Sequence, residues 1–235
     1  MAAGPARQRG DRLTLWDEAV ASRRVAAPRQ VRYRRAMKLF YTPTSPFVRK
    51  VRVVAHELGG PLTLELLRPS PMTPDPVLSR QNPLSKIPAL VLDDGTTLYD
   101  SPVICEYLDT LANGGLVPAQ GMERWQVLRR QALADGILDA GILVFYERSQ
   151  RPVELHWESW IAGQTAKVNQ GLDALELEVA GFGQALDLGQ ISCAATLGWL
   201  DFRQPVGDFR ATRPALAEWY QRFLMRPSMQ ATLPG

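Results

Sequence analysis

The chain is short of cysteine, histidine and long apolar runs, and each shortage removes a class of explanation. Two cysteines, Cys105 and Cys193, in 235 residues make no disulfide framework. Both sit in helix-like apolar patterns and read as reduced core residues of a cytoplasmic protein. The two histidines, His56 and His156, have no ligand spacing around them, so no metal is expected. No apolar run reaches the roughly 20 residues of a membrane-spanning helix, because charge, Gly or Pro breaks each one. There is no G-x-S-x-G elbow and no histidine beside a candidate serine, which argues against a serine hydrolase.

Lysine is missing from residues 1–36, which instead hold nine arginines against Asp11, Asp17 and Glu18, a net charge of +6. Of the chain's 27 basic and 24 acidic residues, the remainder keeps 18 and 21, a net −3. The basic character belongs to this leader, so whole-chain charge is no argument for a nucleic-acid partner. The leader is Ala/Arg/Pro-rich without sustained apolar periodicity, which predicts disorder with at most a marginal helix over 13–22. It fits a targeting peptide, a nucleic-acid or membrane arm, or translation upstream of Met37. The position of Met37 immediately before the first strand favours the last.

What is present is orderly from Met37 onward, and 46% hydrophobic residues suffice for one large core or two small ones. KLFYT (38–42) reads as a buried strand. Pro43, Ser45 and Pro46 form a turn into a helix running to about Leu58, with Phe47, Val51, Val54, Ala55 and Leu58 inward. Arg49, Lys50, Arg52 and Glu57 are predicted to face away. Gly59-Gly60 ends this helix. Residues 62–67 alternate like a second strand, and 69–76 read as loop. PALVLDD is a third strand, Asp94-Gly95 a hairpin turn and TTLY a fourth strand. A helix over 101–112 follows, with Ile104, Leu108 and Leu111 inward. The linker 113–121 leads into purely helical periodicity. A long helix covers 123–150, and another covers 155–180 with Trp160, Ile161, Val168, Leu172 and Leu175 on one side. Asp187 and Gln190 make a capping box ahead of an apolar helix, and a last helix spans about 214–225. The expected organisation is a leader (1–36), an α/β unit (37–115) and an all-α unit (122–235).

Three short segments carry the chemistry. Ser45 at a helix N-terminus is ordinarily a cap, but its hydroxyl can also donate to a bound thiolate, with the helix dipole adding to the effect. Ile87-Pro88 opens a strand. It is either an ordinary X-Pro turn or, if cis, an edge where the Ile87 backbone pairs with an extended peptide. Asp100-Ser101 before Pro102 is an N-cap whose free N–H groups can also receive a carboxylate, with Asp100 able to pair with an ammonium group.

Together YTPTSPFVRKVR (41–52), NPLSKIPALVLDDG (82–95), LYDSPVICEYLD (98–109) and RRQALADGILDAG (129–141) resemble the soluble glutathione S-transferase superfamily, in its bacterial, serine-type form. The resemblance covers 37–235. It implies a thioredoxin-like N-terminal domain followed by an all-helical C-terminal domain, a cis Pro88, glutathione as co-substrate and a cytoplasmic homodimer. It implies that Ser45 meets the glutathione sulfur and that Ile87, preceding Pro88, pairs with the cysteinyl backbone. Asp100 and Ser101 would hold the γ-glutamyl end, and Lys86 would contact the ligand. Phe47 and Tyr146 are expected to line a pocket for a small hydrophobic electrophile. The implied activity is detoxifying glutathione transfer, without nucleic acid or membrane as partner. The alternatives are a non-catalytic regulatory or binding protein on this scaffold and a redox role carried by glutathione itself. Cys105 reads as inward and is not a nucleophile. Gln190 stands where many relatives have Asp, and it is expected to bond back to the Asp187 N–H.

Overall fold

The structure, a computed structural model, describes residues 37–68 and 70–234. The readings made for residues 1–36 lie outside the described residues. Strand β1 (Lys38–Tyr41) leads into helix α1 (Pro46–Glu57), strand β2 (Thr63–Leu66), helix α2 (Pro76–Gln81), strands β3 (Ala89–Val91) and β4 (Thr97–Leu98) and helix α3 (Ser101–Ala112). The sheet order is β2-β1-β3-β4, with β1 and β2 parallel and the other pairs antiparallel. Leu39 on β1 faces Leu64 and Leu90 across its two neighbours. This is a thioredoxin-like mixed sheet of four strands. Helices α4 (Gly121–Gln150), α5 (Glu158–Glu178), α6 (Leu188–Arg203), α7 (Pro214–Leu224) and α8 (Pro227–Gln230) form the all-α remainder. Among the described residues no helix is long and apolar enough to cross a membrane.

Local signals set several helix ends. Ser45, Asp75, Asp100 and Asp187 each accept backbone N–H groups at the start of α1, α2, α3 and α6, and Pro occupies the first turn of α1, α2 and α3, where no N–H is needed. Asn113 closes α3 in the left-handed conformation (φ 49°). The linker is then pinned from behind, since the Asp109 carboxylate accepts the N–H groups of Leu116 and Val117, both at 2.9 Å.

One apolar cluster runs from Leu39, Val51 and Leu108 through Ala134, Ile137 and Leu172 to Leu197, Leu216 and Met229, so the core does not stop at the linker. Helix α1 is the reason. It packs against α3, α6 and α8, which leaves it little solvent-facing surface. Arg49 and Lys50, predicted to face away, are therefore 4% and 1% exposed. Arg49 donates to the Met229 carbonyl at 3.2 Å, and α6 carries Gly198 at the crossing, where a Cβ would collide with the Arg49 guanidinium.

Other expectations change for similar reasons. Leu111, expected inward on α3, is exposed. Cys105, read as inward, is fully buried. Trp160 is also exposed, stacked on Trp157 at 5.9 Å rather than packed in the core. The third strand is three residues long, and the stretch read as loop contains the start of α2. Gln190 does not reach back to the Asp187 N–H. Its amide donates to the carbonyls of Gly183 (2.9 Å) and Ala185 (3.2 Å), so only the forward half of the box forms, the Asp187 carboxylate accepting the Gln190 N–H at 2.8 Å.

Candidate active site

The turn between β1 and α1 puts Ser45 at the helix N-cap (φ −79°, ψ 124°), where its oxygen accepts the Val48 N–H at a long 3.3 Å. Accepting leaves the hydroxyl proton free to donate. The first turn of α1 holds no acidic residue, so the positive end of the helix dipole is not neutralised locally. Ser45 opens on a cavity of about 580 Å³ that also reaches Phe47, Arg68, Lys86, Ile87, Tyr146 and Trp199. Five residues singled out in the sequence (Ser45, Phe47, Lys86, Ile87 and Tyr146) thus meet at one space.

The wall opposite α1 is the turn into β3. The Ile87–Pro88 peptide bond is cis, as the resemblance implies, and Pro88 is buried behind it. Neither the N–H nor the carbonyl of Ile87 takes part in the turn, loop and cap hydrogen bonds. The turn is braced by a residue to which sequence reasoning assigned no role. Asn82 is 2% exposed, and its amide donates to the Lys86 carbonyl at 2.8 Å while its side-chain oxygen accepts the Leu84 N–H at 3.0 Å. Ser85, at φ 50°, accepts the Asp75 N–H through its hydroxyl at 3.0 Å. The signal was the Asn-Pro pair at 82–83, a turn former that also hydrogen-bonds its own loop.

Asp100 and Ser101 do not line this cavity. The Asp100 carboxylate caps α3 through the Ser101 N–H. Ser101 is fully buried, and its hydroxyl has no partner among the described residues, which is uncommon for a buried polar atom. The electrostatics join the two places. Burial first, and then the Asp100 charge, raise the Asp139 carboxyl above its ordinary range, with Lys86 and Lys50 opposing. Asp139 lies in the cavity wall. Asp135, one turn earlier on α4, is raised chiefly by burial although Lys50 pairs with it. Burial pushes the Cys105 thiol up to about 12, so at neutral pH it is no nucleophile.

The far wall comes from α4 and α6. Phe145 and Trp199 meet edge-on with centroids 6.1 Å apart, and the Arg203 guanidinium lies over the Phe145 ring at 4.9 Å. Trp199 and Arg203 escaped the sequence reading, because nothing local distinguishes an aromatic in an apolar helix from core.

Comparison with known proteins follows the same division. The family models described as glutathione S-transferase, N-terminal domain and C-terminal domain match residues 44–111 and 158–222. The uncharacterized GST-like protein YibF of Escherichia coli (strain K12) is 33% identical over 202 residues, covering 84% of this chain and 98% of that protein. A solved glutathione transferase family member from Pseudomonas fluorescens Pf-5, with bound glutathione, is 47% identical with a TM-score of 0.83, covering 85% of this chain and all of that one (100%). A structure of a Pf-5 family member with bound S-(propanoic acid)-glutathione gives 46%, a TM-score of 0.79 and coverage of 85% and 100%.

Proposed function

The chain belongs to the glutathione S-transferase family, and from that premise we propose that it is a glutathione transferase whose thiol-activating residue is Ser45. The observation that carries this reading is the Ser45 hydroxyl, its proton uncommitted, at an unneutralised helix N-terminus opening on the cavity. The relatives solved with glutathione and with S-(propanoic acid)-glutathione supply the ligand.

Glutathione lies extended along the turn into β3, and its cysteinyl backbone pairs with the uncommitted N–H and carbonyl of Ile87 as an added strand. Pro88 contributes by shape. The γ-glutamyl end of the tripeptide is held by Asp100 and Ser101, its anionic carboxylate on the α3 N-terminus and its ammonium on Asp100. Lys86 attracts the peptide's remaining negative charge. The sulfur is then left at Ser45, whose O–H donates to it.

Donation from the hydroxyl and the α1 dipole favours the thiolate over the thiol. A free thiol titrates at about 8.5, and lowering it by one to two units takes roughly 1.4–2.7 kcal/mol, within reach of one charge-assisted hydrogen bond plus a helix N-terminus. The thiol proton leaves to solvent. The thiolate attacks the electron-poor carbon of an acceptor resting against Phe47 and Tyr146, the sulfur–carbon bond forms, and the electron pair departs with a leaving group or is protonated. The protein acts as a detoxifying cytoplasmic homodimer.

The test is an ultraviolet titration of thiolate absorbance for glutathione bound to the wild type and to Ser45→Ala. Thiolate forms about one to two units below free glutathione on the wild type and returns toward the free value in the variant. Equal thiolate fractions would remove Ser45 from the mechanism. Failure of the wild type to bind immobilised glutathione at all would favour the non-catalytic reading of the scaffold.

A further inference from the structure

Resting on the transferase reading above, we infer that the acceptor half of the cavity selects electrophiles carrying an anionic group beside an aromatic body, and that Arg203 receives the anion. The cavity's cations divide by position. Arg68 and Lys86 border the α/β half, where the tripeptide lies; Arg203 borders the helical half, with Phe145, Tyr146 and Trp199. Glutathione's own charges are met on the first side, which leaves Arg203 surplus to them.

Arg203 is also unlike the arginines around it. Arg210 is held by Asp201 at 2.7 Å and Asp208 at 3.2 Å, Arg151 by Glu147 at 2.8 Å, and Arg148 donates to the Pro205 carbonyl at 3.0 Å. Arg203 has no ion pair among the described residues. It lies half-buried, its guanidinium over Phe145 at 4.9 Å and Phe202 at 4.4 Å. Asp139, the acid in the cavity wall, interacts with Asp100, Lys86 and Lys50, none of them on α6. A guanidinium held over aromatic rings and without an ion pair keeps N–H groups available for a carboxylate or sulfonate.

The placement suits such a ligand. Trp199 lines the recess at Ser45 as well as the large cavity. Arg203 follows it by four residues on α6, on the same face, about 6 Å along the axis. An aromatic acceptor lying on Trp199 and Phe145 with its reacting carbon at the sulfur therefore points its far end at Arg203. A bland role competes, because a cation in the last turn of α6 also suits that helix's dipole. The two roles separate by substrate charge.

The experiment uses 4-chloro-3,5-dinitrobenzoate and its methyl ester, which share a reacting carbon and differ in one charge; with each, the sulfur–carbon bond forms, the carbon–chlorine bond breaks and chloride leaves. Catalysed kcat/KM is divided by the uncatalysed rate constant for each. The wild type favours the carboxylate over the ester by about tenfold or more. Arg203→Met brings that ratio to about one, and Arg203→Lys, which keeps the charge but loses the planar fork, falls between. A wild-type ratio at or below one, or a ratio unchanged in Arg203→Met, overturns the assignment. The wild-type ratio decides by itself if Arg203→Met does not fold. Absence of glutathione binding and of turnover with both compounds is a different outcome, which sinks the transferase reading and this inference with it. An active enzyme indifferent to the charge sinks the inference alone.

Discussion

Lys50 Nζ stands 2.7 Å from both carboxylate oxygens of Asp135, which joins the second turn of α1 to the middle of α4. The Lys50 side chain is 1% exposed and that of Asp135 17%. The same burial that makes the pair dry raises the Asp135 carboxyl despite its cationic partner. The pair therefore holds the register of α1 against α4 more than it adds net stability. Asp135→Asn leaves a buried ammonium without a counter-charge and is expected to cost about 3–5 kcal/mol, read as a lower denaturant midpoint. The double variant Lys50→Met, Asp135→Leu recovers most of that loss. A single variant within about 0.5 kcal/mol of wild type would contradict this account.

Glu57 makes a pH-dependent link. It accepts from Arg226 at 2.9 and 2.8 Å and from the Ser228 hydroxyl. Burial would raise its carboxyl, but the bonds from Arg226 and Ser228 outweigh burial and hold it below the usual glutamate range. A carboxyl depressed in the folded state adds stability above its unfolded value, about 4.3, and that share disappears as pH falls through the lower folded value. Glu57→Gln is expected to be about 1–2 kcal/mol less stable at neutral pH, and the gap should close on acidification below roughly pH 4. Melting temperatures measured from neutral to acid pH check it; parallel curves for the two proteins would refute it.

The two cysteines are expected to resist alkylation in the native state. Burial pushes the Cys105 thiol up to about 12 and raises Cys193 as well, and both are fully buried. Iodoacetamide at mildly alkaline pH should add no label to the folded protein and two after denaturation, counted by intact mass. Rapid native labelling would mean that one of them reaches solvent.

Ser101 offers a test of the peptide-binding end that stability does not obscure. Its hydroxyl is buried and has no partner among the described residues, so Ser101→Ala removes no bond seen there and should shift stability by less than about 0.5 kcal/mol. Glutathione affinity should fall about tenfold, the scale of one lost hydrogen bond to a charged group. Calorimetric titration reads the second quantity and a melting curve the first. Unchanged affinity would detach Ser101 from the ligand.

The helix starts, in the candidate site and outside it, were legible because they are built from local rules. Ser45, Asp100 and Asp187 are caps, and caps are set by the residue type and the few residues after it. The cis Pro88 and the meeting of Ser45 with Ile87 came from four segments in a known order. Asn82 was inside a quoted segment but had no role until its amide was seen bracing the Lys86 carbonyl. Arg203 and Trp199 were invisible, because only the crossing of α4 and α6 brings them to the cavity. Arg49 and Lys50 were misread for the same reason. Charge on a helix face predicts solvent unless another helix brings a partner.

The residues alone determined where α1, α3 and α6 begin and that Ser45 sits at a positive helix end, since each depends on neighbours a few positions away. Tertiary structure decided which charges are buried, which hydroxyl is left unpartnered among the described residues and which aromatic wall lines the cavity with Ser45. Those depend on contacts between segments scores of residues apart, as between Arg49 on α1 and Met229 on α8, and no local pattern encodes them.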